Sequence, residues 1–253
     1  MVTRGQVHHM EAKAGLRRTV LGLAGRVARW GVPRAQALYA VLGLWLALAF
    51  AAASLALWGF LLLGARVSAG STQAFDVGVL AWMDSNASAA LTEAALSVTE
   101  LGSFLVIAVM GLFVSAFLWI HGQRRAVVLL WLALVGVYFL NDLLKWLFAR
   151  ERPDVFQWRT VGAGGNSFPS GHAMNAMVAY TVFAYLIARL ESTAALRRTT
   201  FAVAALVILL VGLSRMYLGV HYPTDVLAGF AAGFAWAMAC VFAVYVLADI
   251  RGA

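Results

Sequence analysis

NSFPSGHAMNAMVAYTVFAYLIARL, residues 166–190, passes from a polar, turn-prone stretch straight into an apolar segment. That segment is close to the roughly 20 residues needed to cross a bilayer. Ser170 suits the N-cap of the helix, and Gly171 and His172 fall in its first turn, where free backbone N–H groups point outward and form an anion site. An imidazole at this mouth helps neither insertion nor packing, so its presence asks for a chemical reason. The whole chain agrees with a membrane setting. Of its 253 residues, 63% are hydrophobic and 12% charged, and mean hydropathy is +0.84. A soluble domain of this length has too little interior for so much apolar surface, which makes the expected fold an all-α, polytopic membrane protein.

Six apolar segments are expected to span, at about 37–64, 101–121, 126–149, 171–190, 200–218 and 224–249, forming one six-helix membrane domain over 37–253. Residues 1–36 are a basic tail in which Leu16, Val20, Leu23, Val27 and Trp30 recur at helical spacing between arginines. The pattern predicts an amphipathic helix lying on an anionic membrane surface. Between the first two spans, Phe75, Val79, Trp82 and Met83 mark one face of an amphipathic helix, ended by the turn Asp84-Ser85-Asn86. The lone Cys240 excludes an intrachain disulfide and reads as a small core residue.

The formal charge of +8 follows the ends of the apolar segments, which speaks for a membrane and against nucleic acid as the partner. With the N-terminus in the cytoplasm, only Arg66, Lys145, Arg150, Arg152, Arg159 and Arg215 of the 19 basic residues fall outside. Both termini are therefore expected in the cytoplasm, in a cell (plasma) membrane. Most of the outward cations cluster at the ends of the third and fifth spans. Charge held near hydrocarbon marks a functional site.

Three stretches meet on that outer face. In "KWLFARERP", 145–153, Lys145 and Arg152 are two helical turns apart and would share one face of the third span before Pro153 stops it. "PSGH", 169–172, opens the fourth span. In "SRMYLGVHYPTD", 214–225, Pro223 suits the first turn of the sixth helix, and Asp225 could reach back toward His221 as a capping-box carboxylate does. Singly, each residue has an ordinary reading: Lys145, Arg152 and Arg215 as interfacial anchors, Asp225 as a first-turn acid. Jointly they suit a phosphate group, with cations and N–H donors on its oxygens and imidazoles for the chemistry. Arg150 stands open between a second-phosphate contact and a surface anchor. Asp142 is expected to neutralise Lys145 on the same helix, and Asn175 either to orient His172 or to bind water.

Eleven residues in order, Lys145, Arg152-Pro153, Pro169-Ser170-Gly171-His172, Ser214-Arg215, His221 and Asp225, resemble the three-part signature of the type-2 phosphatidic acid phosphatase superfamily. The resemblance implies a metal-independent membrane lipid phosphatase without a cofactor. His221 would be the nucleophile, Asp225 its orienting carboxylate and His172 the general acid and base. Lys145, Arg152, Ser170, Gly171 and Arg215 would bind the phosphoryl oxygens. Undecaprenyl pyrophosphate, phosphatidylglycerol phosphate and phosphatidic acid are the substrates to expect, with a neutral nucleophile and a protonated acid giving a bell-shaped pH dependence. A lipid phosphotransferase using the same intermediate, or an anionic-lipid transporter or binding protein without chemistry, remain the alternatives. Oligomeric state is not legible in the sequence.

Overall fold

The computed structural model describes residues 47–160 and 164–250, with side chains described as far as residue 243. The basic tail, its expected surface helix and the expected start of the first span at residue 37 lie outside the described residues. From Phe50 onward the chain packs as one compact unit, and the described residues contain helices and no strands. The helices are α1 (Ala47–Ser68), then α2 (Gln73–Ser85), α3 (Ala89–Thr99), α4 (Phe104–Ile120), α5 (Arg124–Phe148), α6 (Gly171–Ala188), α7 (Ala194–Tyr217) and α8 (Pro223–Ile250).

Five of these, α1 and α5 to α8, are long and apolar enough to cross a membrane, and α3 with α4 forms a bent pair that counts as a sixth only if the two are one broken span. The second span is the one whose shape differs from expectation. A 3-10 turn over Glu100–Gly102 interrupts it, Ser103 restarts it by accepting from the Val106 N–H, and the axes of α3 and α4 differ by 51°. Ser88 and Thr193 cap α3 and α7 in the same way, each taking an N–H that would otherwise lack a partner.

The helices turn large apolar side chains outward, among them Leu105, Phe113, Ile120 and Trp146, as a fold surrounded by lipid does. α2 follows this rule too. It keeps Asp76 and Leu80 inside and exposes Phe75 and Trp82. The face expected from Phe75 and Trp82 is therefore an outward one.

α6 is the central helix, with 61% of its span buried against 33% for α5 and for α7. α8 reaches it through Gly229 and Gly233, a small-xxx-small pair that lets two backbones approach closely. An ideal Cβ at Gly229 would lie 2.7 Å from the Ser170 carbonyl oxygen, and one at Gly233 2.8 Å from that of Met174. α5 holds α8 by a different device, the Trp236 indole, which packs against Gly136 and donates to the Ala133 carbonyl at 3.0 Å. Cys240 is buried in this core. Near the head of α6, Phe168 stacks with Phe60 at 5.9 Å and packs against Phe148 at 4.7 Å. The loop that opens α6 is thus wedged between α1 and α5.

Gly229→Ala should push α8 away from the first turn of α6 and cost about 1–3 kcal/mol, the usual scale for overpacking a tight contact. Thermal unfolding in detergent would show it as a lowered midpoint. Gly59→Ala is the control, since a Cβ there meets nothing within 4 Å and gains helix propensity.

Candidate active site

The C-terminal ends of α5 and α7 and the N-terminal ends of α6 and α8 lie together. Two backbone links fix them: the Ser170 N–H donates to the Asp225 carbonyl at 3.0 Å, and the Ser167 N–H donates to the Arg150 carbonyl at 2.8 Å. Lys145 and Asn166 clamp each other, the ammonium donating to the Asn166 carbonyl at 2.5 Å and the Asn166 amide to the Lys145 carbonyl at 2.8 Å. Asp142, exposed on α5, acts on the ammonium through its charge, without a direct ion pair.

Arg152 reaches the site by another route than a helix face. α5 ends at Phe148, because Ala149 adopts the left-handed conformation at φ 46° and its N–H closes on the Lys145 carbonyl at 3.0 Å. Arg152 therefore extends from irregular chain. Backbone carbonyls hold its guanidinium: Gly164 at 2.8 Å, Gly165 at 3.1 Å and Val220 at 2.8 Å. Its Nη1 also lies 3.3 Å from His221 Nε2. Arg215 is buried and donates to the Thr99 hydroxyl at 2.9 Å, while its Nε has no partner.

A guanidinium can only donate, so the contact with Arg152 makes His221 Nε2 the acceptor and leaves the ring proton on Nδ1. Nδ1 faces Asp225 Oδ2 at 3.5 Å, longer than a hydrogen bond, and has no closer partner. Oδ2 also accepts from the Tyr222 N–H at 2.9 Å, so Asp225 does turn back over its own helix N-terminus. Burial pushes the His221 imidazole well below its ordinary 6.5, and the charges of Arg215, Arg152 and Lys145 push it further in the same direction. The ring is neutral at physiological pH, with its Nε2 lone pair turned toward Arg152.

His172 lies within electrostatic reach of Arg215, His221, Arg152 and Lys145. Gly102 covers it from the α3–α4 turn, where a Cβ would meet the His172 carbonyl oxygen at 3.0 Å. Ser170 occupies the cap position of α6, but its hydroxyl makes no capping bond and is buried without a partner. A buried hydroxyl and an unpaired guanidinium nitrogen beside a neutral imidazole are the donors that a phosphoryl oxygen would satisfy.

All eight expected site residues come together. Asn175 lines a small cavity between α4 and α5 with Ile107, Trp131 and Leu134, its Oδ1 buried without a protein partner. Arg150 is neither free for a second phosphate nor a surface anchor. Its Nη2 pairs with Asp76 and its Nη1 with Asp225, both at 2.7 Å. Three supporting residues lie outside the motifs, of which only Asn141, a polar residue inside the third span, stood out in the sequence. Asp76 and Thr99 come from the segment between the first spans. Asn141 donates toward the Pro169 carbonyl and the Met174 sulfur at 3.4 Å and sits against Gly171. A polar residue facing inward from an apolar helix was the one available clue.

Residues 125–248 match the PAP2 superfamily. The chain is 32% identical over 175 residues to phosphatidylglycerophosphatase B of Bacillus subtilis (strain 168), covering 69% of this chain and 85% of that protein. It is 35% identical over 114 residues to the lipid A 1-phosphatase of Rhizobium johnstonii, covering 41% of this chain and 43% of that one. In three dimensions it resembles the crystal structure of a transmembrane PAP2-type phosphatidylglycerolphosphate phosphatase from Bacillus subtilis. The TM-score is 0.71 at 29% identity, over 78% of this chain and 96% of the other.

The tautomer and charge of His221 can be read directly. The nitrogen-15 shifts of His221 in labelled protein are expected to report a neutral ring protonated on Nδ1 at pH 6.5 and above. A doubly protonated ring at pH 7 would reject the arrangement.

Proposed function

The chain belongs to the PAP2 superfamily as a membrane phosphatase, and on that premise we propose that it hydrolyses a lipid phosphate through a phosphohistidine on the extracytoplasmic face. The observation that carries this reading is the 3.3 Å contact of Arg152 Nη1 with His221 Nε2, which turns Nε2 toward the cations and assigns the ring proton to Nδ1. Nε2 attacks phosphorus, the bond from phosphorus to the lipid oxygen breaks, and His172 gives that oxygen its proton. Water then attacks the phosphohistidine, His172 takes the water's proton, and inorganic phosphate leaves with Nε2 restored. Asp225 holds the ring and stabilises the positive charge it acquires. Lys145, Arg152 and Arg215, with the Ser170 hydroxyl and the Gly171 N–H, stabilise the phosphoryl oxygens, and no step calls for a metal ion.

Phosphatidylglycerol phosphate is the first substrate to test. A relative named for that activity matches over 85% of its length. Arg150, the cation nearest to serving a second phosphate, is occupied by Asp76 and Asp225. Lys145, Arg152 and Arg215 suffice for one phosphoryl group, which favours a monoester over a pyrophosphate. The excess of basic residues on the N-terminal side supports cytoplasmic termini and a site facing outward.

Phosphate release in detergent with EDTA present tests the reading, comparing phosphatidylglycerol phosphate, phosphatidic acid and undecaprenyl pyrophosphate. Release should be fastest from the first and should fall at least about a thousandfold in His221→Ala, as expected on removing a nucleophile. Faster release from the pyrophosphate would replace the substrate assignment, and complete loss in EDTA would remove the mechanism. Label passing from substrate to a second lipid instead of water would make the protein a phosphotransferase. The acidic limb of kcat/KM should lie below pH 6.5, because the base form of His221 persists down to its lowered pKa. An acidic limb above pH 7 would contradict that.

A further inference from the structure

The motifs leave one buried charge cluster unexplained. Asp76 of α2 and Asp225 of α8 are both fully buried, and a single guanidinium, Arg150, lies between them. Its two terminal nitrogens are divided, Nη2 to Asp76 and Nη1 to Asp225, and Nη1 also donates to the Thr224 hydroxyl at 2.8 Å. The guanidinium lies over the Tyr222 ring at 4.1 Å. Asp76 in turn caps α8 from outside, accepting from the Thr224 N–H at 3.1 Å and from its hydroxyl at 2.7 Å. Buried carboxylates persist only when paired, so this cluster is a fixed geometry.

We infer that Asp76 and Arg150 are positioning residues for the transfer step, aiming the Asp225 carboxylate at His221 and keeping its negative charge available to the ring. The inference rests on the reading of His221 as nucleophile and adds two residues to it. Arg150 fixes Oδ1 of Asp225 and the Tyr222 N–H fixes Oδ2, which leaves one direction of Oδ2 for Nδ1 of His221. The charge arithmetic gives Asp76 its part. Two carboxylates and one guanidinium sum to −1, and that surplus faces the ring as Nε2 bonds to phosphorus and the imidazole turns cationic. Without the charge of Asp76, Arg150 neutralises Asp225 and the surplus disappears. Without Arg150, Oδ1 of Asp225 loses its anchor and two buried carboxylates face each other with no cation between them, which turns Asp225 away from the ring. Neither residue needs to touch the lipid, so the effect belongs in kcat.

Asp76→Asn keeps the shape and most hydrogen bonds but removes the charge. Arg150→Gln removes the bridge, and Arg150→Lys keeps a charge that cannot span both carboxylates. In detergent assays on phosphatidylglycerol phosphate, each is expected to lower kcat about ten- to a hundredfold, the scale for a residue orienting a reacting group, with KM changed less than about twofold. The Asp76→Asn/Arg150→Gln double variant should be no slower than the slower single, because the two act as one unit. Folded Asp76→Asn with wild-type kcat, losses that multiply in the double variant, or a raised KM at unchanged kcat would each overturn the inference. If Asp76→Asn does not fold, Arg150→Lys carries the test, and wild-type kcat there overturns it equally. His221→Ala in the same assay separates the two levels. Activity surviving His221→Ala removes the underlying reading, whereas a dead His221→Ala beside a fully active Asp76→Asn removes this inference alone.

Discussion

One backbone hydrogen bond, from the Ser170 N–H to the Asp225 carbonyl, sets the geometry of the site. It joins the starts of α6 and α8, two helix ends whose free N–H groups and dipoles both favour negative charge. It can form only because Gly229 puts no side chain in front of the Ser170 carbonyl. His172 follows Ser170 by two residues and His221 precedes Pro223 by two, so pinning the helix starts also fixes the two imidazoles relative to each other.

The charges around this junction are sorted. Lys145, Arg152 and Arg215 are held mainly by neutral oxygens: the Asn166 carbonyl, the carbonyls of Gly164, Gly165 and Val220, and the Thr99 hydroxyl. Such oxygens lessen the desolvation cost of a cation without cancelling its charge, so the field stays available to an incoming anion. The carboxylate Asp225 stands on the Nδ1 side of His221, with Arg150 between it and Asp76. Carboxylates paired directly with those three cations would have consumed that field.

The spans were legible because a bilayer imposes length and apolarity on each segment separately. α5 to α8 start and end within a few residues of their expected limits, apart from α7, which begins earlier at Ala194. The eight motif residues were legible because threading alone brings the ends of α5 and α7 to the starts of α6 and α8. What sequence spacing misjudged was local. A helical repeat put Lys145 and Arg152 on one face, but the helix ends four residues before Arg152. Asp142 was matched with Lys145 by spacing and does act on it by charge, but the ammonium's hydrogen bond goes to a loop carbonyl 21 residues away. Asp76 was not legible at all. Its partner Thr224 is 148 positions away, and no local pattern distinguishes a buried acid from a solvated one.

The bend between α3 and α4 changes how the protein meets the bilayer. α4 has 17 residues, so at 1.5 Å per residue it covers about 25 Å, short of a hydrocarbon core of about 30 Å. The missing depth falls on the side of α3, which leaves the axis of α4 at 51° instead of continuing upright. Thr99, the last residue of α3, receives the buried Arg215 guanidinium, so the bend begins beside one of the site's cations. A straight helix through this point would carry Thr99 away from α7, and hydrophobic mismatch on this flank is thereby tied to the geometry of the cation cluster.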